Sequence, residues 1–224
     1  VVVTTIDAVN DASTTVNGTT GATVATVFSN DTLDGLPFLP TDVTLTSLPL
    51  ASGLTLNADG TITVAPGTAP GTYPVTYTIC QVANPTVCDT ATTSVIVTTI
   101  DAVNDTPAPI NGTPGGSTPS VFANDTLNGL PFLPTDVILT SGVLPVGLVL
   151  NPDGTVTVPV TTPAGTYPVT YTICQVANPT ICDTATTSVV VTTIDAVNDA
   201  STTVNGTTGA TVATVFANDT LNGA

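Results

Sequence analysis

Apolar and polar residues alternate along short stretches of this chain, and clusters of turn-forming residues separate the stretches. Thr23 to Phe28 follows the turn-rich run Asn17-Gly18-Thr19-Thr20-Gly21 and predicts a strand. Val43-Thr44-Leu45-Thr46 has the period of two that sorts side chains onto the two faces of a sheet. Leu54 and Leu56 stand across Asn57-Ala58-Asp59-Gly60 from Ile62 and Val64, a pattern that predicts a hairpin with the Gly at positive φ. Further on, Asn151-Pro152-Asp153-Gly154 has Pro where a type I turn fixes φ near about −65°. Asp59 and Asp153 are therefore expected to form turns. Val75, Tyr77 and Ile79 share one face of a strand, and Thr76, Thr78 and Cys80 share the other. The chain then reverses around Asn84-Pro85 and returns through Cys88 to a long strand ending near Val97. Helical periodicity is absent.

The pattern repeats. Thr4-Thr5-Ile6-Asp7-Ala8-Val9-Asn10-Asp11 returns at Thr98 to Asp105 and at Thr192 to Asp199, an offset of 94 residues each time. About seven strands per repeat, with turn signals every ~8–12 residues, predict an all-β chain of tandem Ig-like Greek-key β-sandwiches. The expected boundaries are residues 1–5 as the end of a preceding repeat, 6–99, 100–193, and 194–224 as the start of a third. On this reading the chain is a window cut from a longer array. A closing strand of about 12 residues spans roughly 40 Å, the length each repeat would add to a stalk. The third copy matches the first from Asp195 to Gly223 except for Ala217 and Asn222, which stand where the first has Ser29 and Asp34. The second copy carries Pro107, Pro109, Pro114 and Pro119 instead, so the array is expected to alternate with a two-repeat period.

Charge narrows the partners. The 224 residues include 16 acidic side chains and no Lys, Arg or His, for a net charge of −16. With nothing to neutralise phosphates, nucleic acid is excluded as a partner, as is polybasic attachment to an anionic membrane. No apolar run approaches the roughly 20 residues of a membrane helix, so direct membrane insertion is not expected either. The acidity has two readings, solubility through mutual repulsion and cation binding at particular Asp clusters.

The cysteines come as two copies of Cys-x7-Cys, Cys80 with Cys88 and Cys174 with Cys182. Zinc wants closer pairs and further ligands, and there is no His to help. A disulfide across each hairpin, on the Thr-rich face, suits the symmetry about Asn84 and implies an oxidising, extracellular compartment. The other reading is a pair of reduced, half-buried thiols. Closing so short a loop contributes roughly 2.5 kcal/mol in the chain-entropy account.

Ile6-Asp7-Ala8-Val9-Asn10-Asp11, followed by Val27-Phe28-Ser29-Asn30-Asp31-Thr32-Leu33-Asp34-Gly35, resembles the bacterial Ig-like and cadherin-like tandem repeats of giant surface proteins. With Tyr77-Thr78-Ile79-Cys80 and Asn84-Pro85-Thr86-Val87-Cys88-Asp89-Thr90-Ala91, the repeat is similar to those of large secreted adhesins of gliding Bacteroidetes. The resemblance covers essentially the whole chain. It implies a stalk on the bacterial cell surface that carries an adhesive tip, exported by that phylum's own secretion route. Cadherin-like repeats imply calcium at the junctions, although no other cofactor is required. The candidate ligands are Asp7, Asn10 and Asp11 with Asn30 and Asp31, then Asp101, Asn104 and Asp105 with Asn124 and Asp125. The third set is Asp195, Asn198 and Asp199 with Asn218 and Asp219. Calcium takes about six to eight hard oxygens, which such clusters could supply at a hinge. The chain has no Glu, however, and Asp and Asn are also ordinary turn and linker residues. The same resemblance implies O-glycosylation at Asp-Thr sites, namely Thr32, Thr90, Thr126, Thr184 and Thr220.

Catalysis is not expected. Acid–base work near neutral pH draws on His, Glu, Lys or Cys, of which only the paired Cys are present. A Ser or Thr nucleophile would lack a base. The expected function is a structural stalk segment whose partners are the neighbouring repeats of the same chain. The alternative is a filament subunit whose repeats self-associate laterally. A carbohydrate-binding module is the third reading, its aromatic supply resting on Phe28 and on Phe38 in Leu36-Pro37-Phe38-Leu39-Pro40. That loop has three expected fates: packing on a neighbouring repeat, covering its own core, or contacting a ligand.

Overall fold

The computed structural model describes residues 3–223. Two compact units emerge, one running to Ile100 and including Leu127–Leu130, the other formed by Asp101–Thr126 and the chain from Pro131 onward. In the first, the strands are β1 (Ile6–Asp7), β2 (Thr14–Asn17), β3 (Ala22–Val24), β4 (Thr32–Leu33), β5 (Val43–Ser47), β6 (Leu54–Leu56), β7 (Ile62–Val64), β8 (Gly71–Gln81) and β9 (Cys88–Thr98). Seven of them build a sandwich. One sheet has the order β2-β9-β8-β5 and the other β3-β7-β6, while β1 and β4 form a small separate pair. All neighbours are antiparallel except β2, which runs parallel to β9 with Val16 opposite Val97. The first and last strands of the sandwich thus lie side by side, an Ig-like arrangement.

The alternation read from the sequence decides which faces meet. Val75, Tyr77 and Ile79 on β8 and Val95 and Val97 on β9 are almost completely buried. They pack with Val16, Val27, Val43, Ile62 and Val64 into one core. Leu54 pairs with Val64 and Leu56 with Ile62 across the expected hairpin, where Gly60 has φ 81°. On the opposite face of β8 and β9, hydroxyls meet across the strands, Thr76 with Thr92 at 3.1 Å and Thr78 with Thr90 at 2.9 Å. Such cross-strand Thr pairs are a recurring stabiliser of solvated sheet faces. Cys80 lies opposite Cys88 at the end of this row and is bonded to it, as Cys174 is to Cys182.

One expected strand is cut short. Thr23 to Phe28 is strand only to Val24, and Val27–Ser29 is a 3-10 turn. The Thr26 hydroxyl donates to the Asp59 carbonyl at 2.8 Å and accepts from the Phe28 N–H at 3.3 Å. The Val27 N–H meanwhile donates to the Gly60 carbonyl at 3.0 Å, so the hairpin tip captures this backbone and ends the ladder.

The second repeat of the sequence follows the same plan, with β10 (Ile100–Asp101), β11 (Ile110–Asn111), β12 (Gly116–Ser117), β13 (Thr126–Leu127), β14 (Val137–Ser141), β15 (Val149–Leu150), β16 (Val156–Val158), β17 (Gly165–Gln175) and β18 (Cys182–Thr192). The orders β11-β18-β17-β14 and β12-β16-β15 match those of the first. Its opening strands are shorter, two residues each where the first unit has four and three. Pro109 stands where β2 of the first unit has Thr15 and has no N–H for the ladder, which shortens β11. Beyond β18, β19 (Ile194–Asp195) pairs with β20 (Thr220–Leu221).

Candidate functional site

The linker Thr5 to Asp11 is fastened to its own repeat at nearly every residue. Leu33 and Leu36 exchange backbone hydrogen bonds around Asp34-Gly35, both at positive φ (53° and 75°), which makes a two-residue hairpin turn. The Asp34 N–H donates to the Thr5 carbonyl at 2.9 Å, while its Oδ1 accepts from the Thr5 N–H at 2.7 Å. Gln81, buried at the end of β8, donates through Nε2 to the same carbonyl at 3.0 Å. Asp89 Oδ2 accepts from the Ala8 N–H at 2.8 Å, and Asp31 Oδ1 from the Val9 N–H at 2.7 Å. Asn30 Nδ2 donates to the carbonyls of Val9 and Asn10, each at 3.2 Å, and Asn10 Oδ1 accepts from the Thr92 N–H at 2.9 Å.

At the centre stands the Tyr77 hydroxyl. Five acceptor oxygens surround it at 3.1 to 3.3 Å: the carbonyls of Val9 and Val27, Asp11 Oδ2, and both oxygens of Asp31. Tyr77 and Asp31 are buried, and Asp11 is half-buried. A phenol has one proton to give, so this cage is short of donors. Burial, then the charge of Asp31, pushes Asp11 up to about 6. Burial raises Asp31 as well, against the pull of the Val9 N–H and Tyr77 bonds. The Tyr77 phenol is itself held well above its ordinary value by burial and then by the two carboxylates.

The second unit builds the same site. Tyr171 faces the carbonyls of Val103 and Val121, Asp105 Oδ2 and both oxygens of Asp125 at 3.1 to 3.3 Å. Burial raises both carboxyls, Asp125 to about 6. Asn124, Asp183 and Asn104 repeat the roles of Asn30, Asp89 and Asn10. In the third copy Asp219 accepts from the Val197 N–H at 2.8 Å, and Asn218 donates to the Asn198 carbonyl at 3.3 Å.

The structure thus brings together most of the residues singled out for calcium, Asn10, Asp11, Asn30 and Asp31 and their counterparts, but as partners of backbone and tyrosine groups. Asp7 and Asp101 are exposed on the short strands, and Asp195 and Asp199 are exposed in the third copy. Calcium coordinates about six to eight oxygens at ~2.3–2.6 Å. Here the buried carboxylate oxygens already accept hydrogen bonds, and the two carbonyls a cation would share face an amide N–H₂ instead. Among the described residues no three metal-ligating side chains converge on one point. The cluster in this arrangement does not fit a calcium ion. Asp101 to Asp105 are tied to the second unit by the same bonds.

Sequence reasoning missed Tyr77, Asp89, Asp34 and Gln81 as members of this site. Asp-Gly at 34–35, replaced by Asn-Gly at 128–129 and 222–223, was the available signal, being a strong hairpin-turn dipeptide. Of the glycosylation candidates, Thr90 and Thr184 are exposed, while Thr32, Thr126 and Thr220 are half-buried. Phe38 covers its own core, its ring 5.3 Å from that of Phe28, whereas Leu36 and Leu39 project at 67% and 66% exposure.

No family model and no curated protein sequence matches the chain. Among solved structures it is similar to the human Desmocollin-1 ectodomain, at 12% identity and TM-score 0.39 over 82% of this chain and 40% of that one. It is also similar to Drosophila OTK extracellular domains 3-5 (11%, 0.42, 81% and 60%). A third is Protocadherin Gamma B2 extracellular cadherin domains 3-6 (8%, 0.36, 85% and 52%). The chain therefore spans 40% to 60% of the length of these proteins.

Proposed function

We propose that the chain is a structural spacer, a stretch of tandem Ig-like sandwiches in a long extracellular adhesin of a bacterial cell surface. The observation that carries this reading is recurrence. The same sandwich, disulfide and linker clamp return at a fixed offset, as expected of an array built by copying one unit. A disulfide in each unit agrees with an oxidising compartment. No helix among the described residues is long and apolar enough to cross a membrane. The raised carboxyls serve the linker and are given no catalytic work, so the segment is read as non-enzymatic. Glycans on the exposed Thr90 and Thr184 would suit a secreted stalk.

The test is the mass and the contour of the native protein. Its mass should be many times that of one repeat, and electron microscopy should show a thread whose contour scales with that mass. Compact particles of a few repeats would overturn the reading.

A second reading, self-association into a filament, is favoured by the repeated apolar tips. Leu36, Leu39, Leu130 and Leu133 are each about two-thirds exposed. Sedimentation of the dilute native protein separates the two, since a filament subunit assembles and a stalk segment stays single.

A further inference from the structure

The acidic linker cluster is held together by hydrogen-bond donors that occupy the positions where a cation would bridge oxygens. We propose that the Tyr77 hydroxyl and the Asn30 carboxamide, with Tyr171 and Asn124 in the second unit, take over the bridging work of a junction cation, so that each linker is fastened to its own repeat without metal.

A cation at such a seam would join carboxylates of the domain to carbonyls of the incoming chain. Here the carbonyls are those of Val9 and Asn10, and the carboxylates are Asp31 of the domain and Asp11 at the end of the linker itself. Asn30 Nδ2 spends both of its protons on the two carbonyls. Because both neighbours can only accept, the amide is fixed with nitrogen toward them. The Tyr77 oxygen is in contact with the Val9 carbonyl and with both carboxylates. An ion seated at the point where these oxygens converge would take the place of a buried phenol that belongs to the core strand β8. Asp31 holds the Val9 N–H as well, so losing the arrangement would free the linker on both sides of Val9. The second unit reproduces every one of these bonds, and the third copy reproduces the Asn-to-carbonyl and Asp-to-N–H pair. The other acidic groups facing the cage are Asp7 and Asp89, which add negative potential at Asp31. The chain has no basic residue, so hydrogen-bond donors and not ion pairs hold the carboxylates of Asp11 and Asp31. The proposal concerns each repeat by itself and holds for a stalk or a filament alike.

The experiment uses the whole chain and terbium as the probe, in salt that screens loose surface binding. Tyr77 and Tyr171 would sensitise a lanthanide bound in their cages. The expected result is no saturable, calcium-displaceable emission, with the same melting temperature in chelator and in millimolar calcium. Saturable emission that calcium displaces, or a melting temperature raised by calcium, overturns the proposal. A paired Asn30→Asp, Asn124→Asp variant exchanges the donors for carboxylate oxygens. It should melt lower than wild type in chelator, regain stability with calcium and acquire terbium emission. A variant that melts like wild type in chelator overturns the role of the Asn pair. If the variant does not fold, the wild-type titration alone decides.

Discussion

The hydroxyl of Tyr77 lies 3.1 Å from Oδ2 of Asp31, a residue 46 positions away, and Tyr171 stands at the same distance from Asp125. The contact joins β8, which with β9 is one of the two longest strands of its unit, to the turn that receives the linker. Tyr77→Phe keeps the ring in the core and removes the only hydroxyl proton in the cage, leaving the buried Asp31 carboxylate short of a donor. Stability should fall by about 1–3 kcal/mol for the affected repeat. In thermal denaturation at pH 8 that is ~4–8 °C per kcal/mol for a domain of this size. The loss should shrink near pH 5, where a protonated carboxyl supplies a donor in place of the phenol.

Stability should increase on mild acidification. Asp11 and Asp125 are raised from 3.8 to about 6, and Asp31 and Asp105 move in the same direction. The folded state therefore binds protons that the unfolded chain releases, and each cage contributes stability that is fully present below pH ~4 and lost as pH rises through about 6. Fading repulsion among sixteen unpaired acidic groups acts in the same sense. Asp59 and Asp153 run the other way. The Thr61 hydroxyl and the Thr155 N–H, respectively, are the main causes holding them below the usual range, so their share is lost as pH falls through that lower value. Melting curves from pH 3.5 to 8 should show a maximum near pH 4 to 5. A melting temperature that rises steadily toward neutral pH would contradict this.

Reduction should weaken the sandwich without dissolving it. Cys80–Cys88 closes a hairpin on the Thr face, away from the core, and its loss removes roughly 2.5 kcal/mol of chain-entropy stabilisation. Replacing both cysteines by Ser should lower the melting temperature of that repeat by about 10–20 °C. The far-UV circular dichroism at 20 °C should stay that of the disulfide-bonded protein.

Two glycines at positive φ should respond differently to Ala. An added Cβ at Gly60 would collide with Thr26 Oγ1 and come within 2.8 Å of the Phe28 ring, whereas at Gly35 it meets nothing within 4 Å. Gly35→Ala should cost only the left-handed backbone penalty, about 1–2 kcal/mol. Gly60→Ala adds overpacking at the turn that captures Thr26 and Val27, for a total of about 2–5 kcal/mol. Urea denaturation of the two variants side by side measures the difference.

What the sequence determined by itself is whatever depends on neighbours along the chain. Period-two alternation assigned Val75, Tyr77 and Ile79 to the core face, and the Asn-Ala-Asp-Gly turn set Leu54 opposite Val64 and Leu56 opposite Ile62. Symmetry about Asn84 placed Cys80 opposite Cys88. These features follow from the pleat and from turn geometry, both local. The early end of β3 at Val24 was not legible, because the group that captures the next residues is the Gly60 carbonyl, far along the chain. The fate of the acidic residues was not legible either. Asp31, Asp34 and Asp59 look alike in a Thr- and Asn-rich sequence, yet the first is buried beneath a phenol, the second clamps Thr5 and the third sits exposed in a turn. Only closure of the sandwich brings β8, the Asn30-Asp31 turn and the linker to one place. Burial and hydrogen bonding at that meeting point, and not residue type, decide which acidic side chains are drawn into the interior and which stay solvated.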